Sequence, residues 1–156
     1  MRIPSHRAAV SSAVISLGVD CIIQRRRRQR HDIRRSLRVG SYAFWSCYPQ
    51  LGYFKALHSV FPGNSVTTVL QKTMATQFLF APVNISLAIA WDMALQGKWK
   101  GIRDKIYCTM IPALQEGALF WIPVNIVGFC SIPAPLQFHY TKLAAIVYKF
   151  SLLSRI

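Results

Sequence analysis

The amino-acid sequence predicts an all-α integral membrane bundle of about four transmembrane helices with a partly embedded C-terminal tail. Of its 156 residues 53% are hydrophobic, yet the formal net charge is +14, from 19 Lys and Arg against five Asp and Glu. The charge is confined to short blocks between long apolar stretches. A soluble nucleic-acid-binding domain instead spreads basic residues over a mostly polar surface. The observed distribution is typical of a membrane protein.

The first apolar stretch, residues 8–24, is predicted to be a retained membrane helix. Arg2 and Arg7 precede it as in a signal peptide, but no small-residue cleavage site follows the apolar run. The stretch leads directly into the basic loop 25–38, in which eight arginines less Asp32 give a charge of +7. We interpret this block, which includes Arg35 and Arg38, as a solvated loop on the inner side of a membrane. An arginine-rich RNA-binding segment is the alternative, although nucleic acid is an unlikely partner for so short a run between spans.

The next two spans are predicted at residues 39–61 and 74–96, each 23 residues long. Lys55 is the only formal charge in the first and Asp92 the only one in the second. A helix of this length extends about 34 Å at roughly 1.5 Å per residue, which is enough for a hydrocarbon core of roughly 30 Å.

A fourth span is predicted at residues 106–133, where Glu116 is the only charged residue. Its internal prolines are tolerated in a membrane helix when neighbouring helices satisfy the freed carbonyl groups. Residues 136–156 are apolar but carry two lysines and an arginine, so they are either an interfacial tail or a short fifth helix. Four basic residues less one acid give the block 98–105 a charge of +3, and four spans place it on the same side as the first basic loop.

Polar residues recur on single faces of the predicted spans. Ser12, Ser16, Asp20 and Gln24 follow every four residues, and Thr73, Gln77, Asn84 and Asp92 also share a face. Two interpretations stay open. These faces are packing seams between helices, or they line an aqueous path for solutes. The candidates for the path are Asp20, Gln24, Gln77, Asn84, Asp92 and Glu116, with Arg35 and Arg38 as a basic mouth that favours small anionic metabolites.

Catalytic and metal chemistry find no support in the sequence. There is no nucleophile elbow, phosphate loop, zinc-helix motif or paired-carboxylate motif. The four cysteines form no C-x-x-C pair, and the four histidines have no metal-ligand spacing. We therefore expect no enzyme activity, no cofactor and no metal.

Five short motifs follow one another along the chain in the order of one known family. The first two are Gly18, Asp20 and Gln24, similar to G-D-x-x-x-Q, and Asp32, Arg35 and Arg38, similar to D-x-x-R-x-x-R. The later ones are Pro49 at a Gly-Pro, Lys72, Gln77 and Pro82 in K-x-x-x-D-Q-x-x-x-x-P, and Trp121, Pro123, Phe129 and Pro133 in W-P-x-x-Q-x-x-N-F-x-x-V-P. Together they resemble the Mpv17/PMP22 family of mitochondrial inner-membrane and peroxisomal membrane proteins, in which the first motif ends the first helix and the last is C-terminal. Departures at Thr76, Asn125, Gly128, Gln137 and Tyr148, among others, indicate a divergent member.

The resemblance implies a four-helix protein of an organelle membrane with channel-like permeation of small solutes and no established enzymatic activity. Other membrane proteins or a second copy of the chain are then expected partners beside the lipid bilayer. An arginine-flanked, serine-rich and acid-poor start favours the mitochondrial inner membrane, and the peroxisomal membrane is the alternative. The second functional hypothesis is a non-conducting scaffold or assembly partner for other inner-membrane proteins.

Overall fold

The described part of the chain forms a bundle of five helices, which confirms the predicted all-α membrane class. The computed structural model describes residues 5–26 and 32–154. The helices are α1 Ser5–Arg26, α2 Ile33–Val60, α3 Val66–Leu95, α4 Ile102–Ser131 and α5 Ala134–Ser154, with a short 3-10 turn Trp99–Gly101 ahead of α4.

Helix α2 begins earlier than the sequence predicts. The side chain of Asp32 accepts a hydrogen bond of 3.0 Å from the backbone N–H of Arg35, which caps the first turn at Ile33. The predicted basic loop 25–38 therefore ends before Ile33, and both Arg35 and Arg38 lie on a helix. Residues 27–31 of that loop are outside the described part of the chain.

A π-helical turn, Thr76–Phe80, interrupts α3, and in it the N–H of Ala81 bonds to the carbonyl of Thr76. The cause lies just downstream at Pro82. Proline has no N–H to donate, and in a regular helix its ring would clash with the carbonyl four residues earlier. The wider turn relieves that clash while the helix continues to Leu95.

Among the described residues, three helical segments are long and apolar enough to cross a membrane: His6–Arg26, Val66–Leu95 and Trp99–Ser131. The predicted count of four spans is thus approximate. Helix α2 has 28 residues, but its middle is rich in Ser, Tyr, Trp and Gln, which lowers its hydropathy. Residues 136–156 were predicted to be either a tail or a short fifth helix, and the structure shows a helix: α5 is continuous and packs on α1, α2 and α4. Residues 155–156 are outside the described part of the chain.

Helix α2 joins the two halves of the core. In one cluster Cys47 of α2 packs against Ala8, Ala9 and Phe138, from α1 and α5. In the other, Phe54 and Leu57 of α2 pack against Val69 and Phe129, from α3 and α4. Many large apolar side chains on the outer surfaces are exposed, which fits a bundle surrounded by lipid.

Short connections make successive helices antiparallel. The α1–α2 and α3–α4 connections lie at one end, because Arg38 near the start of α2 contacts Asp92 near the end of α3. We call this the basic end, since the exposed Lys98, Lys100, Arg103 and Lys105 also lie there. This agrees with the predicted same-side placement of the two basic blocks.

Candidate functional site

A cavity of about 570 Å³ lies inside the bundle, and all five helices contribute to its wall. This volume is within the range of small-molecule binding sites. Most of the wall is apolar, and the polar contribution is small. The polar and charged lining residues are Ser12, Ser16, Arg38, Tyr42, Ser46, Gln50, Thr76, Gln77, Asn84, Trp91, Asp92, Asn125, Thr141, Lys142, Tyr148 and Lys149.

The predicted polar face of α3 points into this cavity. Gln77, Asn84 and Asp92 all line it, together with the small residues Ala81 and Ala88 between them. Spacings of three and four residues keep these side chains on one side of the helix through the π-helical turn. Three of the six candidate path residues are therefore brought together at one wall.

An ion pair closes the cavity wall at the basic end. The Nε of Arg38 donates to Oδ1 of Asp92 at 2.7 Å, and the amide of Gln96 donates to the other carboxylate oxygen at 2.6 Å. Nearby, the indole N–H of Trp91 donates to the hydroxyl of Ser41 at 3.0 Å. Arg38 thus lies at the cavity as predicted for a basic mouth, but a carboxylate neutralises it.

One turn further into the cavity, the hydroxyl of Tyr42 joins α2 to α3. It lies 2.8 Å from both the side-chain and the backbone carbonyl oxygens of Asn84, to which it donates. The bond fixes the orientation of the Asn84 amide in the wall.

Two lysines of α5, Lys142 and Lys149, line the cavity and were not predicted as site residues. They lie in the segment predicted to be an interfacial tail or a short fifth helix, where long lysine side chains usually extend to the membrane surface. In the part of the chain that the structure describes, neither has an acidic side chain within ion-pair distance. Among the described lining residues, Arg38, Lys142 and Lys149 less Asp92 give a charge of +2. The signal available in the sequence was the spacing of seven residues, which places both lysines on one helix face.

Asp20 and Gln24, two further candidates, lie elsewhere. They are 5% and 2% exposed and belong to a polar cluster between α1 and α2, outside the cavity lining. Gln24 Nε2 donates to Asp20 Oδ2 at 2.6 Å and to Ser36 Oγ at 3.0 Å, while Ser36 Oγ donates to Asp20 Oδ2 at 2.8 Å. The placement favours the packing interpretation for these two residues.

The same polar cluster extends to the start of α2. The backbone N–H of Asp32 donates to Gln24 Oε1 at 2.6 Å, and Arg35 Nε lies 3.4 Å from Asp20 Oδ1. The two family motifs, G-D-x-x-x-Q and D-x-x-R-x-x-R, therefore meet in space. We call Asp20, Gln24, Asp32, Arg35 and Ser36 the α1–α2 polar cluster. Arg35 contributes to this cluster and, unlike Arg38, does not line the cavity.

Glu116, the last candidate, is exposed on α4 and does not line the cavity. The residues of α4 that line the cavity at this level are Ala113, Leu114 and Gly117, and at 3.6 residues per turn Glu116 is rotated roughly 100° away from their mean direction. The glutamate consequently points away from the bundle interior.

The other family-motif residues have structural positions. Lys72 is 1% exposed, and its Nζ donates to the carbonyl of Gly63 at 2.7 Å, which holds the α2–α3 turn, where Gly63 has a φ of +89°. Phe129 is buried in the core, and Trp121 lines the cavity. Pro49, Pro123 and Pro133 are exposed, whereas Pro82 is half-buried after the π-helical turn.

Gln137, which stands where the family usually has an arginine, holds the α4–α5 turn. Its Oε1 lies 2.7 Å from Nε2 of His58, and its Nε2 donates to the carbonyl of Ile132 at 2.9 Å. The Gln137 amide therefore links α2 to the α4–α5 turn, at the end of the bundle opposite the basic end.

Comparison with known proteins finds relatives whose sequences align with most of this chain, among them the following three. The chain is 26% identical to Protein SYM1 of Gibberella zeae over 80% of this chain and 72% of that protein. It is 26% identical to the mitochondrial inner membrane protein Mpv17 of Danio rerio, over 81% and 73% respectively. The Mpv17-like protein of Bos taurus is 28% identical over 62% of this chain and 48% of its own length. No family model and no solved structure matches the chain significantly.

Proposed function

Because the chain is a member of the Mpv17/PMP22 family of membrane proteins, we propose that it is a channel-like protein for small anionic solutes. The observation that carries this proposal is the cavity between all five helices, with an excess of positive charge on its wall. The protein moves solutes without catalysing a reaction. Its membrane is the mitochondrial inner membrane, which is the membrane that the name of the Danio rerio relative gives for that protein.

The charged residues on the cavity wall attract anions. Inside a low-dielectric bundle a charge interacts much more strongly than it does in water. Lys142 and Lys149 lie on the wall, and neither forms an ion pair in the described part of the chain, so an anion in the cavity gains attraction from both. A cation meets repulsion from the same two groups.

The Arg38–Asp92 pair is the gate in this proposal. While the 2.7 Å contact holds, the carboxylate occupies the guanidinium that an entering anion would use. Separation of the two helices at this contact frees Arg38 for the anion and widens the basic end. Gln96 holds the second oxygen of Asp92, so the carboxylate keeps a partner when the pair opens.

Reconstituted flux tests this proposal. Purified protein in liposomes is assayed with a panel of small organic anions and with matched cations of similar size. We expect anions to pass faster, and Asp92→Asn to raise the anion-to-cation ratio, because the charge of the described lining changes from +2 to +3. Asp104→Asn removes an exposed acid of the same basic end and serves as the control. Flux equal to that of protein-free liposomes for every solute would contradict the proposal.

A further inference from the structure

We propose that the middle of the cavity is a binding site for an amphipathic oxyanion, a carboxylate or phosphate group on an apolar body, with Lys142 and the hydroxyl of Ser12 as its anchors. The inference rests on the proposed function in that it uses the same cavity. It goes further by naming the class of solute and the residues that hold it.

The hydroxyl of Ser12 is the first observation. Ser12 is 3% exposed and lines the cavity, yet its Oγ has no hydrogen-bond partner within the described chain. Buried hydroxyl groups without a partner are rare in folded proteins, because the lost hydrogen bond to water is not replaced. Ser11, the preceding serine, is exposed and bonds to the carbonyl of Ala8. A serine in this part of α1 can therefore donate to a backbone carbonyl, but Ser12 does not.

Lys142 lies at the same level of the bundle as Ser12. Helices α1 and α5 run in the same direction, and Ala8 and Ala9 pack against Phe138. About one turn further along each helix, at roughly 3.6 residues per turn, comes Ser12 on α1 and Lys142 on α5. Both line the cavity. An ammonium group and a hydroxyl thus approach one region from two neighbouring helices.

No acidic group competes for Lys142 in the described structure. Its Nζ lies 5.2 Å from the ring centroid of Phe138, a cation–π contact, and neither ion pair of the described residues includes it. The uncharged polar residues of the cavity lining include the amides and hydroxyls of Gln50, Gln77, Asn125 and Thr141. Both anchors can donate a hydrogen bond, so the group that satisfies them together is an anionic oxygen.

The rest of the wall determines what the oxyanion is attached to. Phe54, Phe80, Leu114 and Ile146 are among the apolar lining residues, and apolar surface dominates the wall. A small hydrated ion gains nothing from such surface, whereas an alkyl or aryl body is transferred favourably from water. A few polar groups in a mostly apolar pocket are typical of organic ligands.

Tryptophan quenching measures this binding directly. The protein in lipid nanodiscs is titrated with terminally brominated dodecanoate, whose bromine quenches indole fluorescence on contact, and both Trp91 and Trp121 line the cavity. A hydrogen bond to a charged group is the strong kind. Lys142→Gln should therefore weaken binding at least about 10-fold, and Ser12→Ala about 3-fold. The control Lys55→Gln removes an exposed lysine of α2 and should leave binding unchanged, which separates the cavity from general partition into lipid.

Competition identifies the ligand chemistry. Dodecyl phosphate should displace the brominated probe, which would assign the site to oxyanions in general, whereas failure to compete would restrict it to carboxylates. Inorganic phosphate should not displace it, because it lacks the apolar body. Equal competition by dodecyltrimethylammonium would overturn the anionic site, and so would an unchanged affinity in Lys142→Gln.

Two measurements on variants distinguish a loss of binding from a loss of the fold. Lys142→Arg keeps the charge and should restore most of the binding. Ser12→Ala removes a hydroxyl that has no partner, so thermal stability without ligand should be unchanged or higher, whereas a structural hydroxyl would lower it. Quenching needs no solute gradient. Binding without flux would therefore contradict the proposed channel alone, and flux without saturable quenching would contradict this site alone.

Discussion

Two sets of polar residues inside the bundle look alike in the sequence and differ in the structure. In the α1–α2 polar cluster, Asp20, Gln24 and Ser36 satisfy one another through hydrogen bonds of 2.6–3.0 Å. In the cavity, Ser12 Oγ has no hydrogen-bond partner and Lys142 no acidic neighbour within the described residues. A closed network stabilises helix packing, whereas unsatisfied donors on a cavity wall are available to a ligand.

The difference also separates two roles within the family motifs. Asp20 and Gln24, from the first motif, contact the start of α2 and hold the first two helices together. Arg38 and Gln77, from two later motifs, line the cavity. Polarity in a membrane helix is therefore insufficient evidence for a solute path, and the hydrogen-bond partners decide the role.

The largest expected effect comes from opening the polar cluster. Asp20→Ala removes the acceptor of Ser36 and Gln24 and the counter-charge of Arg35. Breaking a buried charged network costs roughly 3–5 kcal/mol; because the Arg35 side chain is 38% exposed, we expect about 3 kcal/mol. Unfolding of the purified protein in mild denaturant measures this loss. Flux per folded molecule should not change, and a changed anion-to-cation ratio would place Asp20 on the path after all.

The second-largest loss of stability is expected from overpacking beside the same cluster. A Cβ on Gly40 would lie 2.6 Å from Cγ of Leu17, so in Gly40→Ala either the Leu17 side chain or the two helices must shift. Overpacking of this kind costs about 1–3 kcal/mol. Gly18→Ala is the matched control, because a Cβ there has nothing within 4 Å and alanine favours a helix. Equal stability of the two variants would show that the α1–α2 contact is looser than described.

Much of this fold was predictable. The spans 8–24, 74–96 and 106–133 overlap α1, α3 and α4, because long apolar runs allow few other structures. The start of α2 was missed because the charge of Arg34, Arg35 and Arg38 concealed the capping aspartate before them. For the segment of helix α5 the sequence left a tail and a short fifth helix open, because its lysines resemble interfacial anchors. A face pattern shows which side of a helix is polar and does not show which neighbour it meets.

The smallest effect is expected at the cavity wall. Tyr42→Phe removes the hydroxyl that bonds to Asn84 and keeps the ring. Hydrogen bonds between membrane helices average about 0.6 kcal/mol, so stability should fall by about that amount. The loss should be smaller than for Asp20→Ala by a clear margin in the same unfolding assay. Solute flux, in contrast, should change, because the Asn84 amide is then free to rotate in the wall.

The position of the cavity could not be predicted from the sequence, for a physical reason. The cavity exists only where five helices fail to fill the space between them, and its wall combines residues as distant as Ser12 and Lys149. Gln77, Asn84 and Asp92 were correctly grouped, since they share one helix. Glu116 was grouped with them on polarity alone, and its helix turns it outward. Their role in solute passage stays a prediction.

Chemical block of the cavity tests the central claim most directly. Ala88 lines the cavity, whereas its neighbour Leu87 is 51% exposed on the outer surface. In a variant whose native cysteines are replaced, Ala88→Cys and Leu87→Cys are each treated with a small thiol reagent in liposomes. We predict that modification at position 88 stops anion flux and that modification at position 87 leaves it intact. Full flux after complete modification at position 88 would contradict the cavity as the path.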